Sequence, residues 1–395
     1  MRVLIVTNTY PPAEITGVGA LVYELARKLD TDGHDVRVLT RHAPAEDPWA
    51  VGTGGRKLLF PVAAARHALR LSAERPFDLV HVHESDGVLV CGVLRLARLL
   101  RRAAGRARLV ATLQVSYRRE RLAVRAIKAS GGTKNTVVSR PTRSERVFAW
   151  VRAPILSLFG RLTARLSDAV VAPSHVTADE LRQDYGARVE AVIPNGVAEW
   201  PVDASPVQRP ADAPIGPTVL YAGRLRTRKA VGVLVEAFAE VNRQLPEASL
   251  AIAGDGEHRQ TLEDRTRELG LDQKILFLGP LKRDAMVRWY RAADLFCLPS
   301  IYEGMPLAIL EAMAACLPVV TTTASGMPEA VGDTGLLVEP EDADALADAL
   351  VQLLDDGTRR RRLGEAARRR VHELFTIEKI CGDYLALWES LLSSE

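Results

Sequence analysis

The stretch TVLYAGRLRTRKAVGVLVEAF, residues 218–238, is the clearest indication of the fold class, because its pattern predicts one whole unit of strand, loop and helix. Its apolar start, Thr218–Tyr221, predicts a strand that is buried on both faces and ends at Gly223. Arg224 and Lys229 lie in the loop, and the residues up to Phe238 predict a helix. Units of this kind build parallel sheets that are covered by helices.

The same alternation of strands and helices continues on both sides of this unit. Beyond it, strands are predicted at Ser249–Ala253, Ile275–Leu278, Leu295–Leu298 and Val319–Thr322. Before it, strands are predicted at Val3–Thr7, Val36–Thr40, Leu79–Val82, Leu109–Leu113, Ala169–Val171 and Val189–Ile193, with helices near Gly17–Leu29, Val62–Glu74, Gly87–Ala103 and Val176–Tyr185. The segment Val197–Pro217 breaks the rhythm with repeated prolines, which remove backbone donors and fix φ, so it predicts a linker.

The predicted fold class is therefore α/β, with two Rossmann-like doubly wound domains. The first domain is expected to cover residues 1–197 and the second residues 218–377, joined by a linker over residues 198–217. A last helix within residues 378–395 is expected to pack back towards the first domain. Open sheets bind ligands outside the carboxyl ends of their strands, so we expect the site in a cleft between the two domains.

Composition narrows the class of protein. The 52 Lys and Arg residues barely exceed the 49 Asp and Glu residues, which argues against a dedicated nucleic-acid binder. The four cysteines are far apart, so a disulfide framework or zinc ribbon is not expected and a reducing compartment fits. The apolar run at the N-terminus is too short for a signal peptide, and no stretch approaches the length of an uncharged membrane span. The prediction is a cytoplasmic protein.

The motif YEGMPLAILEAMA, Tyr302–Ala314, carries the strongest chemical signal. Pro306 suits the first turn of a helix, so Met305–Leu307 should present free backbone N–H groups, which attract diphosphate oxygens. Glu303 lies just before this helix, where its carboxylate can accept hydrogen bonds from sugar hydroxyls. Glu311 lies just over one turn into the helix, where it can bind a ribose diol.

Two further loops predict contacts with phosphate groups. Arg224 and Lys229 follow a strand end, and two cations there would neutralise a departing diphosphate. In TYPPAEITGVGALVYELARKL, Gly17 and Gly19 open the first long helix, where glycine lets a phosphate approach the backbone. A dinucleotide fingerprint is excluded, because Val22 stands where its third glycine would be.

These three motifs together resemble the family-4 retaining glycosyltransferases of the GT-B fold, also called glycosyltransferase group 1. The resemblance covers nearly the whole chain and includes the stretches DLVHVHES (Asp78–Ser85), AVVAPSHVTADEL (Ala169–Leu181), VIPNGV (Val192–Val197) and GLLVEPEDADALADAL (Gly335–Leu350). It implies a retaining, metal-independent hexosyltransferase without a cofactor, whose co-substrate is a nucleotide diphosphate sugar. UDP is favoured as its nucleotide, with GDP as the alternative.

The resemblance also implies roles for single residues. In the family the first glutamate of the motif contacts the donor sugar and the second contacts the ribose, a basic pair neutralises the diphosphate, and a glycine turn lies nearest the phosphate. Carried over, the catalytic residues are Arg224, Lys229 and Glu303. The donor-binding residues are Gly17, Gln114, Gly304, Met305, Pro306, Leu307 and Glu311.

Three positions depart from the family pattern. Thr16 and Ala230 stand where the family usually has glycine, and Gln114 stands where it often has a histidine that touches the donor sugar. Gln114 can donate and accept hydrogen bonds but cannot carry a proton charge. We expect this chain to recognise a different sugar through Gln114. One alternative is that the family's histidine does not act as a general acid–base, and another is that the Gln114 amide ties the following loop to the backbone.

The sequence does not identify the acceptor. In the family, variable loops of the first domain hold the acceptor, and residues 114–143 are the candidate segment. Their polar, glycine-interrupted composition favours a polar acceptor, either a small specialised metabolite such as a cyclitol or a cell-envelope glycan precursor. The rival hypotheses are a nucleotide-sugar epimerase on the same fold and a non-catalytic regulator that binds nucleotide sugars.

Two patterns resemble metal sites, and neither is expected to bind metal. His81 and His83 share one face of a strand, but no third ligand is evident, so we interpret them as a hydrogen-bonded pair at a strand end. Asp342 and Asp344 follow a proline and open a helical run, so helix capping explains them better than metal binding.

Two surface patterns suggest contact with a partner. Arginines and one lysine form a dense basic patch, made of Arg95, Arg98, Arg101, Arg102, Arg106, Arg108, Arg118, Arg119, Arg121, Arg125 and Lys128. A solvated face or an anionic membrane or acceptor would account for it. In Ser144–Leu162 apolar residues recur at helical spacing, which we interpret as core, with a membrane-lying face as the alternative. A weak peripheral membrane contact is thus compatible with the sequence.

Overall fold

Two parallel sheets, each covered by helices, organise the computed structural model, which describes residues 1–11, 17–56, 59–100, 107–129, 141–198, 209–211 and 213–394. The chain divides into two compact units. The first contains Met1–Arg118, Arg152–Ala198 and Phe375–Glu395, and the second contains Arg119–Val151 and Glu199–Leu374. The second unit thus includes the segment Arg119–Val151, which precedes the last strands of the first unit along the chain.

The first unit is built on a seven-stranded sheet in the order β3-β2-β1-β4-β5-β6-β7, with all pairs parallel. Its strands are β1 Arg2–Val6, β2 Asp35–Thr40, β3 Ala50–Gly52, β4 Leu79–His83, β5 Arg108–Thr112, β6 Ala169–Ala172 and β7 Val189–Val192. Its helices are α1 Gly17–Thr31, α2 Phe60–Glu74, α3 Val88–Leu99, α6 Ala153–Leu166, α7 His175–Tyr185 and the terminal α15 Ile377–Ser393.

The second unit is built on a six-stranded parallel sheet in the order β10-β9-β8-β11-β12-β13. Its strands are β8 Thr218–Ala222, β9 Ser249–Ala253, β10 Ile275–Gly279, β11 Leu295–Leu298, β12 Val319–Thr322 and β13 Gly335–Val338. Its helices are α5 Arg143–Val147, α8 Val231–Gln244, α9 Arg259–Glu268, α10 Arg283–Ala292, α11 Leu307–Ala314, α12 Met327–Val331, α13 Ala343–Asp355 and α14 Gly357–Leu374. Helix α4, Tyr117–Ala129, begins in the first unit and continues in the second.

The core of each unit explains why the apolar runs form strands. Strands β4, β8 and β9 are buried at every position, as expected for central strands that have helices on both faces. In both sheets the strand order reverses next to the first strand of the unit, between β1 and β4 and between β8 and β11. Loops that follow strands on either side of such a reversal diverge and leave room for a ligand.

The predicted strands and helices are present within a few residues of their predicted ends, as far as the structure describes them. Residues 101–103 of the helix predicted at Gly87–Ala103, and residues 199–208 and 212 of the predicted linker, lie outside the described residues. Two edge strands, β3 and β13, were not predicted, because each is short and only partly buried and so lacks a continuous apolar run. The four cysteines are free, as the sequence indicates. The terminal helix α15 belongs to the first unit, where the Tyr384 hydroxyl lies 3.0 Å from Thr112 Oγ1.

Candidate active site

Glu303 is the centre of a buried cluster of charges in the second unit. Its Oε1 atom lies 2.5 Å from Lys229 Nζ and 2.9 Å from Arg228 Nη1, and the residue is 7% exposed. Burial alone would raise the pKa of the Glu303 carboxyl, but Arg228 and Lys229 lower that pKa to about 2. Glu303 is therefore an ionised hydrogen-bond acceptor at neutral pH.

The topology of the second sheet brings these three side chains together. Strands β8 and β11 are neighbours, so the loops that follow their carboxyl ends meet at one edge of the sheet. Arg228 and Lys229 lie in a 3-10 turn, Thr227–Lys229, after β8, and Glu303 lies in the loop after β11. Two hydrogen bonds join the loops: Ile301 N–H donates to the Arg228 carbonyl at 2.9 Å, and the Arg228 guanidinium donates to the Tyr302 carbonyl at 3.0 Å.

The pKa values of the two cations shift in opposite directions. Burial lowers the pKa of Lys229, and Glu303 only partly offsets this. Burial also disfavours the charged form of Arg228, but Glu303 and Glu120 raise its pKa above its usual range, so it stays charged. A fixed guanidinium beside an ammonium with a depressed pKa is suited to hold an anion, because an incoming negative charge would favour the protonated lysine.

Two further residues of this cluster, Glu120 and Arg228, do not follow from the sequence patterns. Glu120, on α4, lies with its Oε1 3.3 Å from Arg228 Nε. Burial raises the pKa of Glu120, Arg228 lowers it, and the nearby Glu303 raises it. Arg228 lies in the loop that contains the predicted pair, Arg224 and Lys229, but it was not itself predicted to belong to the site. No sequence pattern connects Glu120 with this distant loop.

A second buried group, from α5, holds the turn that carries the cations. Glu145 accepts hydrogen bonds from the N–H of Thr227 at 2.8 Å and from its hydroxyl, and His258 Nε2 lies 3.0 Å from the same carboxylate. Burial alone would raise the pKa of Glu145, but these hydrogen bonds lower it to about 2. Because Thr227 begins the turn, Glu145 fixes the backbone from which Arg228 and Lys229 extend.

Glu311 lies on α11, the helix that follows the loop of Glu303. Its Oε2 accepts a hydrogen bond of 3.0 Å from the Tyr290 hydroxyl, and burial raises the pKa of its carboxyl. Helix α11 begins at Leu307, with Pro306 as the residue before it. The expectation that Pro306 would stand in the first turn is therefore wrong by one position, because its ψ of 120° is extended rather than helical.

The other predicted site residues are distributed over the two units. Gly304, Met305 and Pro306 are buried between Glu303 and the start of α11. The side chain of Arg224 is exposed, and the structure places Arg228 rather than Arg224 beside Glu303. Gly17 is the first residue of α1 in the first unit, and Thr16 before it lies outside the described residues.

Ala230, one of the departures from the family pattern, adopts a left-handed backbone conformation with φ of 50° at the start of α8. Glycine adopts this conformation at no steric cost, whereas alanine does so at a cost of roughly 1–2 kcal/mol. The position therefore favours the glycine that the family pattern has there.

Gln114 lies in the first unit, two residues after β5, and is 6% exposed. Its amide pairs reciprocally with the amide of Asn195: Gln114 Nε2 donates to Asn195 Oδ1 at 2.9 Å, and Asn195 Nδ2 donates to Gln114 Oε1 at 3.0 Å. This pair joins the loops after β5 and β7. The contact supports a structural role, and recognition of the donor sugar stays a prediction.

A pair of variants separates the two roles of Gln114. Gln114→Ala and Asn195→Ala each remove one side of this buried amide pair and both of its hydrogen bonds, so each should destabilise the protein by roughly 1–3 kcal/mol. If Gln114 also recognises the sugar, only Gln114→Ala should bring turnover with UDP-glucose, UDP-N-acetylglucosamine and GDP-mannose closer together. The same rank order of donors in wild type and both variants would leave the structural role alone.

The two histidines of β4 form a buried pair whose ring centroids are 4.4 Å apart. His81 Nε2 lies 2.8 Å from Thr112 Oγ1. Neither ring nitrogen of His83 has a hydrogen-bond partner among the described residues, so the expected hydrogen-bonded pair is wrong for His83. Within the described part of the chain, no three His, Cys, Asp or Glu side chains are grouped so that they could hold a metal ion.

The capping interpretation of Asp342 is confirmed, since its carboxylate accepts a hydrogen bond of 2.9 Å from the N–H of Ala345 at the start of α13.

The basic patch is partly structural. Arg95 and Arg98 form ion pairs with Asp168, at 2.8 and 3.0 Å, and Arg125 lies 3.7 Å from the ring centroid of Trp150. Three arginines of the patch, at positions 101, 102 and 106, lie outside the described residues.

The apolar stripe of Ser144–Leu162 was expected to be core, and this expectation is wrong. Trp150 is 59% exposed, and Leu158 is 54% exposed. The stripe is therefore an outer face of its helices. By length and composition, Arg143–Leu166 is also one helical run of the described chain that could span a membrane.

Comparison with known proteins identifies the family of the chain. The model of the family described as glycosyl transferases group 1 matches residues 211–370, and the model described as glycosyltransferase family 4 matches residues 15–199. A glycogen synthase from Mycobacterium tuberculosis is 30% identical over 94% of this chain and 90% of its own length.

Solved structures resemble the whole chain. Sucrose-phosphate synthase from Thermosynechococcus elongatus has a TM-score of 0.75 at 22% identity, over all of both chains. Anabaena HepE in complex with UDP and glucose has a TM-score of 0.73 at 19% identity, over 99% of this chain and 100% of its own. The two parallel sheets, the family matches and these neighbours agree: the chain is a glycosyltransferase of family 4, group 1, with the α/β GT-B fold.

Proposed function

We propose that this glycosyltransferase takes a sugar from a nucleotide diphosphate sugar and transfers it, with retention at the anomeric carbon, to a hydroxyl of a polar acceptor. The observation that carries the proposal is the buried Glu303 carboxylate, held by Lys229 and Arg228 at the carboxyl end of the second sheet. UDP is the favoured nucleotide, because HepE, which has the same fold, was solved with UDP and glucose.

The charges of the cluster fit the proposed reaction. The bond between the anomeric carbon and the diphosphate oxygen breaks, and negative charge grows on the leaving diphosphate. Lys229 and Arg228, with Arg224 from the same loop, would stabilise that charge through fixed positive groups. The acceptor oxygen attacks from the same face, and its proton passes to the departing phosphate oxygen, so the step balances without a separate base. Glu303 accepts hydrogen bonds from the donor sugar, and its low pKa keeps it ionised for that role.

The acceptor is proposed to be polar, either a small hydroxylated metabolite such as a cyclitol or a cell-envelope glycan precursor. The composition of residues 114–143 supports this, although residues 130–140 lie outside the described part of the chain. An acceptor screen in which only strongly apolar alcohols are glycosylated would contradict the proposal.

Independence from metal ions is the next prediction. Since lysine and arginine already supply the positive charge next to Glu303, we expect turnover to be unchanged in excess EDTA and not to rise when Mg²⁺ or Mn²⁺ is added. The measurement is the rate of nucleotide release with and without chelator. A strict requirement for a divalent ion would contradict this part of the proposal.

The rival epimerase predicts a different product. An epimerase would convert the nucleotide sugar without any acceptor, whereas a transferase leaves the stereochemistry of the intact donor unchanged. Incubation with UDP-glucose alone, followed by separation of the nucleotide sugars, distinguishes the two: recovery of UDP-galactose, or of another epimer, would favour the rival. A regulator would bind the donor but release no nucleotide with any acceptor.

A further inference from the structure

An apolar face covers two neighbouring helices of the first unit. On α6, Ile155 is 48% exposed, Leu158 54% and Leu162 36%. On α3, exposed leucines recur at helical spacing, with Leu89 40% exposed, Leu96 56% and Leu99 81%. Globular proteins seldom expose so many large apolar side chains on adjoining helices without a partner.

The two stripes border the same seam between the helices. A Cβ atom on Gly92 of α3 would lie 3.9 Å from Leu166 of α6, so the helices pack side by side at this point. On an ideal helix, Leu89 and Leu96 lie within one turn of Gly92 on the same side, and Leu158 and Leu162 lie on the same side as Leu166. The leucines and Ile155 therefore form one surface, which we call the α3–α6 face.

The two helices of the α3–α6 face carry charges of a single sign. Neither helix contains an acidic residue. Arg161 and Arg165 are exposed on α6 beside the apolar stripe, while Arg95 and Arg98 of α3 are engaged with Asp168. An apolar strip with arginines along its edge complements an anionic lipid surface, which offers acyl chains to the strip and phosphate groups to the arginines.

We propose that the α3–α6 face is a docking surface for an anionic lipid bilayer, on which α6 lies parallel to the membrane plane. Spanning is disfavoured, because Arg152 and Arg161 lie within Arg143–Leu166 and a central arginine is costly in the bilayer. The residues that pack α6 on its own unit, Gly160, Thr163 and Ala164, are buried on the opposite side. Docking leaves this packing intact and goes beyond the proposed transfer reaction.

The test is sedimentation of the full-length protein with vesicles. One set of vesicles is phosphatidylcholine alone, and the other also contains phosphatidylglycerol. We expect binding to the anionic vesicles, weaker binding to the neutral ones, and release by salt. The double variant Ile155→Gln with Leu158→Gln should weaken binding to the anionic vesicles at least about tenfold. Arg161→Gln with Arg165→Gln should weaken it on anionic vesicles only.

The matched control lies on another helix of the same unit. Leu59 and Val62, at the start of α2, are 57% and 59% exposed, so Leu59→Gln with Val62→Gln removes similar apolar surface elsewhere. We expect this control to bind as wild type does, and every variant to keep the wild-type thermal unfolding midpoint. Failure of the wild type to bind anionic vesicles, or equal losses in control and test variants, would overturn the proposal. A dimer in sedimentation velocity that Ile155→Gln with Leu158→Gln dissociates would assign the face to self-association instead, and would also overturn it.

Discussion

Lys229→Ala should lower turnover about 100-fold or more while changing donor affinity much less. Negative charge on the diphosphate grows only as the glycosidic bond breaks, so a fixed cation stabilises the transition state more than the bound donor, and loss of one such group typically costs that much in rate. In the structure the Lys229 ammonium lies 2.5 Å from Glu303 in a buried site, and the proposed role follows from that contact. The measurement is kcat together with the Kd of the donor from titration.

Three arginine variants test which other cation stabilises the leaving diphosphate together with Lys229. Arg224→Ala is expected to be defective from the family resemblance, and Arg228→Ala from the ion pairs that Arg228 forms with Glu303 and Glu120. Arg226, exposed in the same loop, is the matched control, and Arg226→Ala should turn over as wild type does. Near-normal turnover of Lys229→Ala, or an equal defect in Arg226→Ala, would show that the loop does not stabilise the leaving group.

The second large effect concerns acid stability of the first unit. Burial lowers the pKa of His83 to about 3 and that of His81 well below its usual value. Since unfolded histidine has a pKa of about 6.5, the unfolded state binds more protons between these values. The stability that the neutral histidines contribute is thus full above about pH 6.5. It is lost, at roughly 1.4 kcal/mol per pH unit for each histidine, as the pH falls towards the folded-state pKa.

His83→Phe should remove one of these two contributions. Neither ring nitrogen of His83 has a partner among the described residues, so the substitution breaks no described hydrogen bond and should cost little at neutral pH. We expect the thermal midpoint of the variant to fall less steeply between pH 6.5 and pH 4 than that of the wild type. His67→Phe, at a partly exposed histidine of α2, is the control and should keep the wild-type slope. Parallel pH profiles for wild type and His83→Phe would contradict the burial argument.

The alternation of buried strands and helices could be predicted because it depends on local apolar runs. Strand β9, Ser249–Ala253, was predicted to the residue, since all five positions are buried. The pair Glu303 and Lys229 could also be predicted, because both follow strands that the family pattern identifies. Their mutual contact depends on the order of the strands, which brings β8 next to β11 and is not a local property of the sequence.

The parts that could not be predicted rest on contacts between distant segments. Glu120 lies in the polar segment 114–143 and Glu145 lies at the start of the apolar stripe, yet their carboxylates contact Arg228 and Thr227. Helical spacing predicted that the stripe containing Leu158 is core, and this prediction is wrong. A periodic pattern shows that one face of a helix is apolar, but it does not show whether anything covers that face. The burial of His83, whose ring nitrogens have no hydrogen-bond partner among the described residues, is likewise a result of packing and not of the local sequence.

The most direct test of the central claim is calorimetric titration of the wild type and Glu311→Ala with UDP-glucose, UDP-N-acetylglucosamine and GDP-mannose. We expect the wild type to bind at least one of them. Glu311→Ala should bind it roughly ten- to hundredfold more weakly, because a hydrogen bond to a charged group is worth about 1.5–3 kcal/mol. Tyr290→Phe, which removes the hydroxyl that donates to Glu311 but keeps the carboxylate, is the control and should bind nearly as wild type does. Wild-type affinity in Glu311→Ala, or no binding of any nucleotide sugar by the wild type, would contradict the central claim.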